Sequence, residues 1–166
     1  MSNDLRIRQA SPADRAAIGR LWQELMDFHL RLRPKRFALA DSALETWLRY
    51  LDECLADEDR LVLVAEAGTE LVGYVIGALA TRPPIFKELR QGAIHDMCVA
   101  ESWRRRSVGR RLCESMLAWF RERDLDTSEV SVAAVNPVSQ AFWRAMGFEP
   151  EITRMIRPLH DVPNSQ

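Results

Sequence analysis

The segment from Trp103 to Leu112 connects an apolar run to an amphipathic pattern through a short turn of arginines and small residues. The run before the turn, Ala93 to Val99, is typical of a buried strand, and apolar residues after the turn recur at helical spacing. A strand that turns through small residues into a helix leaves the first amide N–H groups of that helix unpaired. Those donors and the positive end of the helix dipole attract phosphate. The segment therefore predicts a site for a phosphate-bearing cofactor, to which the arginines add charge and bidentate donors.

The composition predicts one globular domain over residues 1–166. Apolar residues make up 47% and charged residues 28% of the chain, and the formal net charge is -1. Because the chain as a whole is not basic, the arginine cluster is local, and a general nucleic-acid binder is not favoured. Three widely spaced cysteines in apolar patterns predict buried free thiols in a reducing compartment. The cysteines and histidines show no ligand spacing, so no metal is expected.

Targeting and membrane signals are not visible in the sequence. The N-terminus lacks the basic and then apolar segments of a secretion signal. No apolar run approaches the roughly 20 residues that a membrane span needs. We therefore expect a cytoplasmic protein without a membrane partner.

Changes in hydrophobic period divide the chain into helices and strands. Helix-start signals occur at Ser11, Ser42 and Asn136, and a polar, basic stretch from His29 to Arg36 interrupts the first helical pattern. The resulting order, β-α-α-β-β-β-α-β-α-β, describes a mixed α/β domain. The tail after about residue 158 is expected to be loose. The predicted strands are residues 5–7, 61–66, 71–80, 93–99, 129–135 and 148–156.

Three motifs follow one another along the second half of the chain, each on the element expected for it. They are Met97-Cys98-Val99, then Trp103-Arg104-x-x-Ser107-x-Gly109, then Asn136 with Phe142-Trp143 and Gly147-Phe148. Together they resemble the GNAT superfamily of acetyl-CoA-dependent N-acetyltransferases, and the resemblance covers nearly the whole chain. It implies a mixed sheet whose strands splay at the cofactor site. It also implies direct transfer of acetyl from acetyl-CoA to a primary amine of a small molecule, peptide or protein in a ternary complex.

The resemblance also implies which residues hold the cofactor. Amides of the turn bind the CoA pyrophosphate, and the strand before the turn pairs with the pantetheine arm. An N–H near Met97 or Cys98 polarises the thioester carbonyl. Asn136 contacts the arm and also caps a helix, and Trp143 packs beside the sulfur. The implied cofactor contacts are Met97, Cys98, Val99, Arg104, Arg105, Arg106, Ser107, Val108, Gly109, Arg110, Asn136 and Trp143.

Two residues depart from the pattern of the superfamily. Ser107 replaces the first glycine of the turn, so the backbone there must accept a Cβ. Trp143 stands where many members carry a tyrosine proposed to protonate the departing thiolate. Since an indole N–H is not an acid near neutral pH, the resemblance supplies no residue for this protonation.

His95 and Asp96 are the candidate catalytic residues. An amine with a pKa of about 10 must lose a proton before it attacks, and a histidine can take that proton. His95 stands where related diamine acetyltransferases carry the glutamate proposed as base, while a histidine that only packs is the alternative. Strand alternation predicts that His95 and Asp96 face opposite sides of the sheet, so that at most one points into the acceptor cleft.

Two other functions remain open from the sequence. A non-catalytic CoA-binding or sensing module is compatible with the missing acid, and a nucleic-acid-binding protein is compatible with the arginine cluster alone. The basic link from His29 to Arg36 is either a solvated connection or, if it lines the acceptor entrance, suited to an acceptor with a carboxylate. A homodimer is compatible with the resemblance, because dimers are frequent among relatives. The fold does not define the acceptor.

Overall fold

The computed structural model describes residues 5–157 and residue 159. The strands form one sheet in the order β1-β2-β3-β4-β5, in which only the β4–β5 pair is parallel. This arrangement confirms the mixed α/β class and the predicted order of elements as far as the last helix. The elements are β1 (Leu5–Gln9), α1 (Arg15–Leu32), α2 (Ala43–Ala56), β2 (Arg60–Ala67), β3 (Glu70–Thr81), β4 (Arg90–Val99), α3 (Val108–Arg121), β5 (Ser128–Val130) and α4 (Pro137–Ala145).

The helix starts follow local signals only in part. Asp14 closes a 3-10 turn before α1, where its carboxylate accepts the Ser11 N–H at 2.8 Å and the Ser11 hydroxyl at 3.0 Å. Ser42 precedes α2 as predicted, but its side chain makes no capping hydrogen bond. Helix α1 continues to Leu32 rather than stopping at His29, whose ring packs 5.0 Å from that of Phe37. The helix thus continues beyond its apolar pattern.

The sheet separates two apolar clusters. Helices α1 and α2 cover one face with residues such as Ile18 and Leu51, and α3 covers the other with Leu112, Met116 and Phe120. The three cysteines are buried and free, as predicted.

Two sheet glycines allow α3 to approach closely. A Cβ on Gly92 of β4 would lie 2.6 Å from Phe120, and a Cβ on Gly77 of β3 would overlap Met116. Contacts this short are not tolerated by close-packed side chains. The glycines therefore place α3 across β3 and β4, with its N-terminus near the end of β4.

The last two predicted strands differ from those observed. Strand β5 has only three residues rather than extending to Val135, and residues 148–156 form no strand. Ile152 and Met155 in this segment are each 89% exposed. Alternating apolar residues form a stable strand only against a partner, and Pro150 removes one amide donor. The predicted loose tail lies outside the described residues, except for Leu159.

Candidate functional site

Strands β4 and β5 separate soon after they meet. Their pairing runs only from Gly92↔Ser128 to Ile94↔Val130, while β4 continues to Val99. On the other side of β4, pairing with β3 extends to Val99↔Gly73. The two strands therefore leave a gap along the last part of β4, which agrees with the splayed arrangement expected from the sequence.

Main-chain groups of β4 face this gap at alternate residues. The Ala100 N–H donates to the Val72 carbonyl at 2.9 Å, and the Cys98 carbonyl lies against Gly73, so both residues turn toward β3. Because successive residues of a strand turn their main-chain groups to opposite edges, those of Met97 and Val99 face the gap. Of the two predicted amide donors, Met97 and not Cys98 is oriented toward a ligand in the gap.

The turn before α3 presents a run of unpaired amides. Among the described residues, the N–H groups from Arg105 to Arg110 donate no hydrogen bond, and the first helical bond is from Arg111 N–H to the Ser107 carbonyl at 3.0 Å. Arg105 and Ser107 have φ of 60° and 62°, with Arg106 at negative φ between them. This alternation curves successive amides toward one concavity, which suits an anion. Ser107 thus holds a left-handed conformation that usually favours glycine.

Arginine side chains of the turn contact the protein itself. The Arg104 Nε–H donates to the Val99 carbonyl at 3.3 Å, and the guanidinium lies 5.7 Å from the Phe28 ring. Arg106 lies 5.1 Å over the Trp103 ring, and Arg110 is 3.6 Å from Glu114. The main-chain amides of the turn thus have no partner among the described residues, whereas each of these three side chains has at least one contact within the protein.

The start of α3 packs closely against β4 and α4. Val108 is buried, and a Cβ on Gly109 would lie 3.3 Å from the Phe142 ring and 3.6 Å from Val99. A glycine at this position allows the helix N-terminus to approach the open edge of β4. The two motifs that sequence analysis placed on separate elements are therefore in contact.

Asn136 and Trp143 are both buried in the structure. The Asn136 Oδ1 accepts the Ser139 N–H at 3.1 Å and so caps α4, as predicted. The Trp143 ring packs edge-on against Phe142 at 5.0 Å and Phe148 at 5.2 Å. Both residues have structural roles, and their contacts with a cofactor stay predictions.

A β-bulge places His95 and Asp96 on the same face of the sheet. Gly77 of β3 pairs with Ile94 and Ile76 pairs with Asp96, so His95 has no partner in the register. The His95 Nδ1 lies 2.8 Å from the Tyr50 hydroxyl of α2, and Asp96 is turned toward the same helix. The prediction that the two residues face opposite sides is wrong, because an inserted residue interrupts the alternation. Sequence analysis also missed Tyr50, since nothing in a helical apolar pattern shows which strand residue it meets.

Burial favours the uncharged form of both candidate proton acceptors, His95 and Asp96. Burial and, less strongly, the nearby Arg60 lower the pKa of His95, so the imidazole is neutral at physiological pH. Burial raises the pKa of Asp96 to about 7, although the Tyr74 hydroxyl, the Trp47 indole and the Met97 amide oppose the rise. The Tyr74 hydroxyl lies close enough to Asp96 to affect its pKa but makes no direct hydrogen bond within residues 5–157. A neutral imidazole and a carboxyl group with a pKa of about 7 can each exchange a proton near neutral pH.

Cys98 follows these residues on β4 but is not a nucleophile. Burial raises the pKa of its thiol to about 12, so the thiolate that would attack a thioester is not populated near neutral pH. This agrees with direct transfer rather than an acyl-cysteine intermediate.

Two open grooves lie away from the gap. One, of about 550 Å³, runs between β1 and α3 and includes Ile7 and Ser115. The other, of about 360 Å³, lies between α1 and the β2–β3 turn and includes Glu24 and Ala100. Neither contains His95 or the turn, so we assign the candidate site to the gap itself.

The sequence matches a known family over most of its length. The model of the acetyltransferase (GNAT) family covers residues 21–148, which include the gap, the turn and both motif regions. The chain belongs to the GNAT family. No curated protein sequence matches it significantly.

Solved structures confirm the GNAT fold. A tetramutant of the BH1408 protein from Bacillus halodurans has a TM-score of 0.85 at 24% identity, over 93% of this chain and 99% of that one. Aminoglycoside 6'-N-acetyltransferase AAC(6')-IG from Acinetobacter haemolyticus has a TM-score of 0.72 at 17% identity, over 95% and 99% of the two chains. Aminoglycoside N-acetyltransferase AAC(6')-Iy, solved in complex with CoA, has a TM-score of 0.73 at 18% identity, over 96% and 98%.

The described residues form neither a metal-binding cluster nor a membrane-spanning helix. Within residues 5–157, no three histidine, cysteine, aspartate or glutamate side chains come together as a metal site would require. None of the four described helices has both the length and the apolar character needed to cross a bilayer.

Proposed function

We propose that this GNAT protein is an N-acetyltransferase that moves acetyl from acetyl-CoA to a primary amine. The observation that carries the proposal is the position of the amide-lined turn directly beside the gap between β4 and β5. The amides of residues 105–110 would hold the pyrophosphate, and the main-chain groups of Met97 and Val99 would pair with the pantetheine arm. A relative of the same fold solved with CoA supports this assignment.

Acetyl-CoA, when bound, supplies an acetyl group activated as a thioester. The Met97 N–H lies on the gap side of β4, near the Asp96 carboxylate, and would donate to the acetyl oxygen as negative charge develops there. His95 Nε2 would accept a proton as the attacking amine loses its N–H bond and forms the new C–N bond. The C–S bond breaks with its electron pair on sulfur, and the proton held by His95 passes to that sulfur or to water. Asp96, the next residue on β4, is the second candidate acceptor of the proton.

A small molecule is the acceptor class that the comparisons favour. Two proteins of the same fold are named as aminoglycoside N-acetyltransferases. We therefore propose a small-molecule primary amine, with aminoglycosides as the first compounds to test.

Amine-dependent release of CoA thiol tests the proposed function. The purified protein is mixed with acetyl-CoA and a panel of aminoglycosides, diamines, amino acids and peptides, and acetylated products are identified by mass spectrometry. We expect thiol release with at least one amine. Tight CoA binding without thiol release for any amine would instead identify a non-catalytic CoA-binding module. Trp143, in place of the usual tyrosine, is compatible with that alternative.

His95→Gln tests the proton acceptor. We expect kcat to fall by about 100-fold, the size typical of a lost general base, while CoA affinity is unchanged. In the unmodified protein, activity should fall as pH drops below the lowered pKa of His95, because the imidazolium cannot accept a proton. If the pH–rate profile of the variant is unchanged, His95 is not the proton acceptor, and Asp96 becomes the candidate.

A further inference from the structure

Helix α2 contributes a side chain to the candidate site that motif comparison does not reveal. Tyr50 is partly buried against the apolar cluster of α1 and α2, and its hydroxyl lies 2.8 Å from the Nδ1 of His95. His95 is partly exposed at the point where β5 leaves β4, and its Nε2 has no hydrogen-bond partner among residues 5–157. One ring nitrogen is therefore held by Tyr50, while the other is open to a ligand.

Arg60, at the start of β2, holds the Tyr50 ring in place. Its guanidinium lies 5.4 Å from the centre of that ring, a cation–π distance. The same guanidinium is 3.0 Å from the Asp57 carboxylate and donates to the Cys54 sulfur at 3.3 Å. Besides the Tyr50 ring, Arg60 thus contacts two other residues, Asp57 and Cys54.

The charges around His95 favour its neutral form. Arg60 opposes protonation, Glu129 of β5 favours it, and burial acts in the same direction as Arg60. Asp96 on the same strand is turned toward Tyr74 and Trp47. Burial raises the pKa of Tyr50 above its usual range, and the Cys54 thiol adds to the rise, so Tyr50 is a neutral hydroxyl.

Which of the two groups donates decides whether His95 can act as a base. A neutral imidazole carries a hydrogen on one nitrogen only, and a tyrosine hydroxyl can donate or accept. If Tyr50 donates to Nδ1, then Nε2 carries the hydrogen and cannot take a proton. If Tyr50 accepts from Nδ1–H, then Nε2 keeps its lone pair, and the hydroxyl hydrogen can turn toward Cys54.

We propose that Tyr50 is a positioning residue for His95. Its hydroxyl accepts the Nδ1–H, fixes the ring orientation and leaves the Nε2 lone pair open to the acceptor amine, while Arg60 immobilises the Tyr50 ring. This inference rests on the proposed function only for its consequence in catalysis. The tautomer is a property of the free protein and is tested separately.

Nitrogen-15 NMR of the imidazole rings tests the tautomer without substrate. His29 is an internal reference, because its Nδ1 lies 2.9 Å from the Leu25 carbonyl, which can only accept. At a pH where both rings are neutral, we expect the spectrum of His95 to match the Nδ1–H form of His29. Tyr50→Phe keeps the ring that Arg60 contacts, and we expect His95 to shift toward the Nε2–H form preferred by free imidazole side chains. An Nε2–H form in the unmodified protein would overturn the proposal.

The pH–rate profile tests the consequence in catalysis, with acetyl-CoA and the most active amine of the panel. We expect Tyr50→Phe to lower kcat by about tenfold, with little change in KM for acetyl-CoA. Arg60→Gln should move the acidic limb to higher pH, because removing a positive charge makes the imidazole easier to protonate. Arg49→Gln, an exposed change on α2, is the matched control and should leave the limb in place. If the acidic limb lies at the same pH in Arg60→Gln and Arg49→Gln, the charge of Arg60 does not affect the protonation of His95.

The two proposals fail in different ways. If His95→Gln abolishes activity but His95 is in the Nε2–H form, the role of Tyr50 is wrong and the proposed function stands. If His95 is in the Nδ1–H form and His95→Gln is fully active, the contact stands and the catalytic role of His95 is wrong.

Discussion

Ser107 combines a side chain with a backbone conformation that suits glycine. Its φ of 62° lies in the left-handed region, next to amides that have no partner among the described residues. The sequence showed that a Cβ must be accepted there, and the structure shows that the Cβ is exposed rather than packed. The turn therefore keeps the shape that a glycine would give it, at the cost of local strain.

Ser107→Asp and Ser107→Asn form a matched pair for the anion site. Both residues tolerate a left-handed backbone, and they differ in charge but hardly in size. We expect Asp to weaken CoA binding by about tenfold or more, or 1.4 kcal/mol, by repulsion of phosphate, and Asn to change it by less than about threefold. Isothermal titration of CoA measures both. Ser107 is preferred to Gly109, where any side chain would meet Phe142. Equal losses in the two variants would show that the turn does not bind phosphate.

His95 and Asp96 show the limit of residue-by-residue inference. Their chemistry was visible in the sequence, since two adjacent titratable groups interrupt an apolar strand. Their orientation was not visible, because the bulge at His95 arises from the pairing of β4 with β3.

At the scale of elements, one carboxylate joins β1 to the start of α1. Asp14 accepts two hydrogen bonds from the Arg8 guanidinium, at 2.8 and 2.9 Å, and Arg8 also reaches Glu66 of β2. Hydrogen bonds from Arg8 are the main cause that holds the pKa of Asp14 well below its usual range. The link secures the edge strand β1, which pairs on one side only.

Asp14→Asn should destabilise the fold by about 2 kcal/mol, since it removes the charge of a largely buried ion pair. Because folding lowers the pKa of Asp14, its stabilisation is complete above its unfolded pKa of about 4 and is lost as pH falls through the folded value. The difference between the variant and the unmodified protein should therefore shrink below about pH 4. Urea unfolding at several pH values measures it.

Asp52→Asn is the control for that substitution. Asp52 pairs with Arg15 at 2.8 Å, but both side chains are at least 40% exposed. Such surface pairs contribute about 0–1 kcal/mol, so this variant should be close to the unmodified protein. Similar losses of unfolding free energy in Asp14→Asn and Asp52→Asn would show that the Asp14 ion pair is no more stabilising than an exposed one.

At the scale of the whole molecule, the segment after α4 does not join the sheet. Phe148 packs on Trp143, but Ile152, Met155 and Ile156 beyond it are 89%, 89% and 61% exposed. Their alternation predicted a closing strand. The sheet instead ends at β5, which pairs over three residues and leaves β4 open.

Replacing both Ile152 and Met155 by serine tests this arrangement. Exposed side chains contribute little, so the free energy of unfolding should change by less than about 0.5 kcal/mol. Ile94→Ala on β4 is the buried comparison, and it should cost about 2–4 kcal/mol. Urea unfolding of the three proteins measures the difference. A loss of several kcal/mol in the double variant would mean that the segment closes the sheet as its pattern predicted.

The sequence alone determined the order of elements up to α4, the position of the candidate anion-binding turn and the family. These depend on signals that lie within a few residues of one another, such as hydrophobic period, helix caps and a turn of small residues. The tertiary structure alone decided the bulge, the gap between β4 and β5, and the contact between Tyr50 and His95. Each of these depends on the register in which distant segments pair, and no local pattern encodes which residue a neighbouring strand leaves unmatched.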